Sequence, residues 1–281
     1  MRIRQLIILS LIFALFCGCA STEEVPRSRF SPIDSFMVKS EVSDSSLNKV
    51  LPEPKSVLFS PDITFDCEYI SDGIHMPYAL FSPSGAESAD NIPLIVFLHG
   101  TGGCNVEEEQ FMNSGLVNIM VKWSQLGFNA YVICPQLYGP WNSKVWNSDL
   151  ATNNVIDLLD FFVSEHNIDV SRIFLVGFSL GALGAMHMAH ECPDYFSKTV
   201  VISSPNRCCS RFTEIAIPII GYSETETSYN QFMIYTFPQI FGDNTIQYYN
   251  VSHGELPFVV FNEDLDKNHR SDLVEWLLDI Q

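Results

Sequence analysis

The sequence predicts an α/β domain: a mostly parallel, twisted sheet with helices on both faces and an antiparallel hairpin at its N-terminal edge. Three observations lead there. Several short runs are apolar throughout rather than alternating, as strands covered on both faces are. These runs alternate with longer stretches of helical periodicity, which is the pattern of parallel strands joined by crossovers. Two early strand-like runs flank Ser71-Asp72-Gly73, a hairpin turn signal.

Residues 1–18 read as an export signal. Arg2 and Arg4 precede an apolar run over 6–16 that is too short to span a bilayer as a mature helix. Residues 19–60 are rich in Ser, Pro, Glu and Asp without sustained periodicity and read as a flexible tether. Residues 61–281 then form the domain. Its strands are expected over 63–70, 74–81, 94–98, 129–134, 172–177, 198–203, 217–222 and 246–251. Its helices are expected over 107–125, 152–166, 179–191, 228–240 and 265–279. No insertion is long enough for a large lid domain.

With 33 Asp+Glu against 15 Lys+Arg the formal net charge is −18, and no basic cluster interrupts it, which argues against a nucleic-acid partner. Of the eight cysteines, Cys17 and Cys19 lie at the leader. The other six allow disulfides in an oxidising compartment, such as a vicinal Cys208–Cys209 bond or a cross-loop bond with Cys104, but fix no pairing. Cys67 and Cys134 read as small buried hydrophobes. His187 and His190 read as helix-surface residues rather than metal ligands, and the sequence calls for neither a metal nor an organic cofactor.

The chemistry centres on Gly177-Phe178-Ser179-Leu180-Gly181, set between a strand and a helix. A serine on a sharp strand-to-helix turn needs small flanking residues, and the helix N-terminus behind it favours negative charge. Ser179 is therefore the candidate nucleophile. Upstream, His99-Gly100-Thr101-Gly102-Gly103 follows a strand, and glycines let backbone N–H groups approach a developing oxyanion. The N–H of Thr101 or Gly102, with that of Leu180, is the candidate oxyanion hole, while His99 reads as a backbone-bonding residue. The base should follow the last strand, where Ser252-His253-Gly254 places His253. The acid should lie at the end of the preceding strand, where Glu224 is the first choice and Glu226 the alternative. Asp243 and Glu255 read as solvated loop charges. Trp141 and Trp146 follow another strand end and are candidates for stacking on substrate.

These segments resemble the α/β-hydrolase branch that holds polyhydroxybutyrate-depolymerase-like and feruloyl-esterase-like proteins and predicted secreted peptidases. The likeness runs from about Ile92 to Phe258 and rests on 94–103, on 167–181 with Cys192-Pro193-Asp194-Tyr195-Phe196, and on 221–224. It implies the α/β-hydrolase fold, structural roles for Asp169 and Arg172, and hydrolysis through an acyl-enzyme on Ser179. Tyr222-Ser223-Glu224 departs from the family's usual aspartate. The expected substrate is a carboxylic ester, small or polysaccharide-linked. The alternatives are a serine peptidase of the same fold or a non-catalytic binding lipoprotein; oligomeric state stays open. Separately, Leu15-Phe16-Cys17-Gly18-Cys19 resembles a bacterial lipobox, which implies a lipid on Cys19 and membrane anchoring at the cell envelope; plain signal cleavage is the alternative.

Overall fold

The computed structural model describes residues 63–71, 74–83, 85–86, 89–112, 130–138, 145–206, 212, 214–225, 230–262, 273 and 276–277. The leader, Cys19, the tether, Trp141, Glu226, Cys208, Cys209 and most of the helix expected over 265–279 lie outside these.

Among the described residues eight strands form one sheet: β1 (Ile63–Ser71), β2 (Ile74–Phe81), β3 (Ile92–Leu98), β4 (Tyr131–Pro135), β5 (Ile168–Phe178), β6 (Lys198–Ile202), β7 (Ile219–Glu224) and β8 (Ile246–Tyr249). Their spatial order is β1-β2-β4-β3-β5-β6-β7-β8. β1 and β2 form the antiparallel hairpin, and β2 joins β4 antiparallel. All other pairings are parallel. From β3 the chain steps outward to β4, then returns to the other side of β3 as β5. That reversal opens a crevice at the carboxyl ends of β3 and β5, where open α/β sheets bind ligands.

The alternation of side chains along each strand explains why both faces are apolar. On β3 and β5, Leu94, Val96, Leu98, Ile173 and Leu175 pack under helix α2 (Asp149–Glu165) and its Val155, Leu158, Leu159 and Phe162. On the opposite face, Ile95, Phe97, Phe174 and Val176 meet Leu256, Val260 and Phe261 of helix α5 (Leu256–Asn262) and Phe111 of helix α1 (Glu108–Met112). Helix α3 (Leu180–Glu191) is buried along its length, with Ala182, Leu183 and Met186 against Val201 and Ile219. The α2 N-terminus is capped by Ser148, whose hydroxyl accepts from the Ala151 N–H at 3.2 Å.

Some boundaries differ from expectation. β5 begins at Ile168 because Arg172 donates from Nε to Asp169 at 2.6 Å and from Nη2 to the Asn91 carbonyl at 2.7 Å. This pair ties the start of β5 to the turn before β3. β7 extends to Glu224. The helix expected over 228–240 opens as a π-turn (Phe232–Thr236) before α4 (Phe237–Phe241). Pro238 has no N–H to donate, and the Phe237 N–H bonds back to the Phe232 carbonyl. His187 is 7% exposed and lies against Phe212, so it is not a surface residue. Lys198, also buried, donates to the carbonyls of Trp276 and Leu277 and so fastens the C-terminal segment to the base of β6. Among the described residues no helix is long and apolar enough to cross a membrane.

Phe97 is 1% exposed and its ring lies 6.0 Å from that of Phe261. Replacing it with Ala should destabilise the fold by about 3–5 kcal/mol, read as a lower midpoint in urea unfolding at unchanged slope.

Candidate active site

Ser179 stands between β5 and α3 with φ 54° and ψ −116°, a strained conformation for a residue with a side chain. Close packing holds it there. A Cβ at Gly177 would lie 2.2 Å from the Gly181 carbonyl oxygen, and one at Gly181 would lie 1.9 Å from that of Leu98. Only glycine fits either place. The Ser179 N–H donates to the Ile202 carbonyl at 2.8 Å, which ties the turn to β6.

Thr101–Gly103 form one 3-10 turn, closed by Gly103 N–H to Gly100 and Cys104 N–H to Thr101, both at 3.1 Å. This bonding leaves the N–H groups of Thr101 and Gly102 at the open start of the turn. The parallel register sets Leu98 beside Gly177, which brings the turn next to Ser179 and to Leu180, the first residue of α3. His99 holds the turn from beneath. Its Nδ1 donates to the Gly100 carbonyl at 2.6 Å and its Nε2 accepts from the Leu137 N–H at 3.1 Å. Burial outweighs the bond to Gly100 and lowers its pKa to about 4, so the ring is neutral, as this pair of bonds requires.

His253 bridges the other two groups. Its Nε2 lies 3.0 Å from Ser179 Oγ, and its Nδ1 lies 2.8 Å from Glu224 Oε1. Glu224 is 1% exposed and is the last residue of β7, so the acid sits on the strand rather than beyond it. Burial pushes its carboxyl pKa up, but hydrogen bonds from His253, Ser203 and its own N–H, with the charge of His253, bring it below the ordinary value. Glu224 Oε2 is buried without a partner among the described residues. Asn230, fully buried, donates to the Glu224 carbonyl at 2.9 Å and to Ser223 Oγ at 2.7 Å, which fixes the backbone that carries the acid.

The turn bearing His253 has one arm of a capping box, the Glu255 carboxylate reaching back to the Ser252 N–H. Ser252 N–H and Oγ both donate to Glu255, at 3.0 and 2.5 Å, and the Leu256 N–H returns to the Ser252 carbonyl. Glu255 is thus no loose loop charge, and 252–258 is a helix start rather than only a loop. The Ser-x-x-Glu pattern ahead of an apolar run was the available signal. Ser203 and Asn230 carried none, because nothing local in the sequence aims them at the site.

Trp146 is a correction. It is fully buried, its indole N–H donates to the His99 carbonyl at 2.9 Å, and its ring meets that of His99 edge-on at 5.0 Å. It supports the oxyanion turn from below and cannot stack on a ligand. Gly100, Thr101, Gly102, Phe178, Ser179, Glu224 and His253 line a cleft of about 460 Å³. The Phe178 ring lies 4.9 Å from that of His253.

The sheet order and the strained serine between β5 and α3 are those of the α/β-hydrolase fold. Residues 76–208 match the family model described as Esterase PHB depolymerase. That stretch holds the oxyanion turn and Ser179, while Glu224 and His253 lie beyond it. A poly(3-hydroxyalkanoate) depolymerase C from Paucimonas lemoignei is 31% identical over 144 residues, 47% of this chain and 32% of that one. A feruloyl esterase B from Thermothelomyces thermophilus is 26% identical over 136 residues, 46% of this chain and 44% of that one. The matches thus span less than half the length of either relative. In fold, the chain is similar to Est1E from Butyrivibrio proteoclasticus, with TM-score 0.55 and 14% identity over 77% of this chain and 98% of that one. It is likewise similar to an S-formylglutathione hydrolase from Staphylococcus aureus, with TM-score 0.56 and 13% identity over 77% and 96%.

The neutral His99 has a pH consequence. Its pKa is about 4 when folded and about 6.5 when unfolded, so unfolding takes up a proton between those values. Its contribution to stability is whole above pH 6.5 and is lost as pH falls through 4, up to about 3 kcal/mol. Unfolding titrations at pH 7 and pH 4 should show a smaller difference for His99→Asn than for the wild type.

Proposed function

We propose that the chain is a serine hydrolase that cleaves carboxylic esters through an acyl-enzyme on Ser179. The observation that carries this reading is the relay Ser179–His253–Glu224, with contacts of 3.0 and 2.8 Å. His253 takes the Ser179 proton at Nε2 as Oγ attacks the ester carbonyl. The imidazolium donates from Nδ1 to Glu224, whose depressed pKa keeps it ionised at neutral pH. N–H groups of Thr101 or Gly102 and of Leu180 receive the oxyanion in the tetrahedral intermediate. His253 then protonates the departing alcohol, and a water molecule, deprotonated by the same ring, releases the acid.

The ester reading draws on the family model, described as an esterase, and on the relative named a feruloyl esterase. With Trp146 buried, Phe178 is the aromatic side chain that lines the cleft among the described residues, and it packs against His253 rather than singling out a sugar or an aromatic substrate. We further propose that the protein is exported and held at the cell envelope by a lipid on Cys19, a reading that rests on the residues of the leader alone. Metabolic labelling with a tagged fatty acid should then mark the wild type and should fail to mark Cys19→Ser.

A fluorophosphonate probe should label the folded wild type and should fail to label Ser179→Ala. Aryl-ester turnover should fall by about 10³-fold or more in Ser179→Ala and by on the order of 10³-fold in Glu224→Gln. Absence of labelling in folded wild-type protein overturns the reading, and amide turnover at rates matching aryl esters replaces the ester with a peptide.

A further inference from the structure

Ser203 follows β6, and β6 lies between the strand that carries Ser179 and the strand that ends in Glu224. Its side chain is fully buried, and its Oγ lies 2.9 Å from His253 Nδ1. The same hydroxyl lies beside the Glu224 carboxylate and helps to lower its pKa. The backbone there has φ 50°, a left-handed conformation that glycine adopts freely and a serine seldom does. That conformation is anchored by the Ser203 N–H, which donates to the Tyr222 carbonyl at 2.8 Å. The chain therefore keeps a hydroxyl at a strained place where a glycine would relieve the backbone, and aims it between the base and the acid.

We infer that Ser203 is a positioning residue of the hydrolytic site, holding the Glu224 carboxylate and the His253 ring in register with one hydroxyl. The inference rests on the serine-hydrolase reading and deepens it. The division of labour follows from the atoms. Nδ1–H has the charged Glu224 Oε1 as its main acceptor, because a charge-assisted bond is the stronger. The Ser203 proton then goes to the carboxylate, and its lone pair faces Nδ1–H as a second acceptor. Glu224 Oε2 has no partner among the described residues, so His253, Ser203 and Glu224's own N–H are what hold this side chain. Without the hydroxyl the carboxylate can turn toward other rotamers, and its undivided charge meets the imidazole. Glu255, the charged group two residues from His253, is held by Ser252 and does not take its place.

Two variants separate the hydroxyl from the backbone. Ser203→Ala removes the hydroxyl and keeps the strain, while Ser203→Gly removes both. Each should label with a fluorophosphonate more slowly than the wild type. On an aryl ester each should lower kcat by roughly tenfold with KM within about twofold, since the lost contact acts on the reacting proton and not on substrate. The acid limb of the kcat/KM profile should move to higher pH in both, because a carboxylate lacking one donor holds protons more firmly and stabilises the imidazolium more. Rates and an acid limb equal to wild type overturn the inference. So does a Gly variant that regains what the Ala variant loses, because the role would then belong to the backbone. A wild type that does not label at all removes the underlying reading, whereas a wild type that labels beside matching variants overturns Ser203 alone. Should Ser203→Ala not fold, Ser203→Gly, which suits φ 50° without strain, gives the same readouts.

Discussion

The site depends on how closely β3 and β5 approach one another. Their parallel register puts Leu98 beside Gly177, and the Leu98 carbonyl leaves no room for a side chain at Gly181. That one clearance sets the position of α3 under the serine and the distance between Ser179 and the oxyanion turn. The turn in turn rests on a neutral imidazole, two backbone bonds and a buried indole. Each of these would be a poor choice at a surface. Together, in a place closed to water, they fix two N–H groups that a developing charge could use without further rearrangement.

The other half of the site is built differently. Glu224 and His253 come from β7 and from the turn after β8, near the far edge of the sheet, and side chains rather than close backbone packing hold them. Asn230 fixes the backbone of Glu224, Ser203 reaches Nδ1 of His253, and Glu255 bonds back to Ser252 in the turn that carries His253. Where glycine clearances govern the first half, hydrogen bonds between single atoms govern the second. This is also where the chain departs from the pattern it resembles. A glutamate at a strand end, steered by several donors, can bring an oxygen to the same imidazole that an aspartate in a loop would reach.

The sequence made the first half legible and left much of the second obscure, for a physical reason. Continuous apolar runs, glycines on both sides of Ser179 and the turn after β3 are local signals of local constraints. They gave the sheet, the elbow and the turn together. His253 was legible by its order along the chain. Glu224 was reachable only as one of two carboxylates, because the sequence leaves the end of β7 open by two residues. Trp146 was misread for the converse reason: a strand's carboxyl end leads to the crevice, but the chain folds back under the crevice before it reaches the rim. Ser203 and Asn230 owe their roles wholly to what tertiary packing brings beside them. Pro238, by contrast, announced an irregular turn that a period count over 228–240 smoothed into a plain helix.

β8 carries a consequence of its own. It has four residues, pairs only with β7 among the described strands, and turns Gln247 and the 42%-exposed Tyr248 outward. A short edge strand opens at lower free energy than the strands buried behind it. His253 hangs from that edge, while Ser179 is locked into the middle of the sheet. Heating or denaturant would therefore part the histidine from the serine in a sub-global opening, before the core melts. In such a molecule the proposed activity is the less durable property, and a chain that still looks folded by its aromatic core would already have lost it.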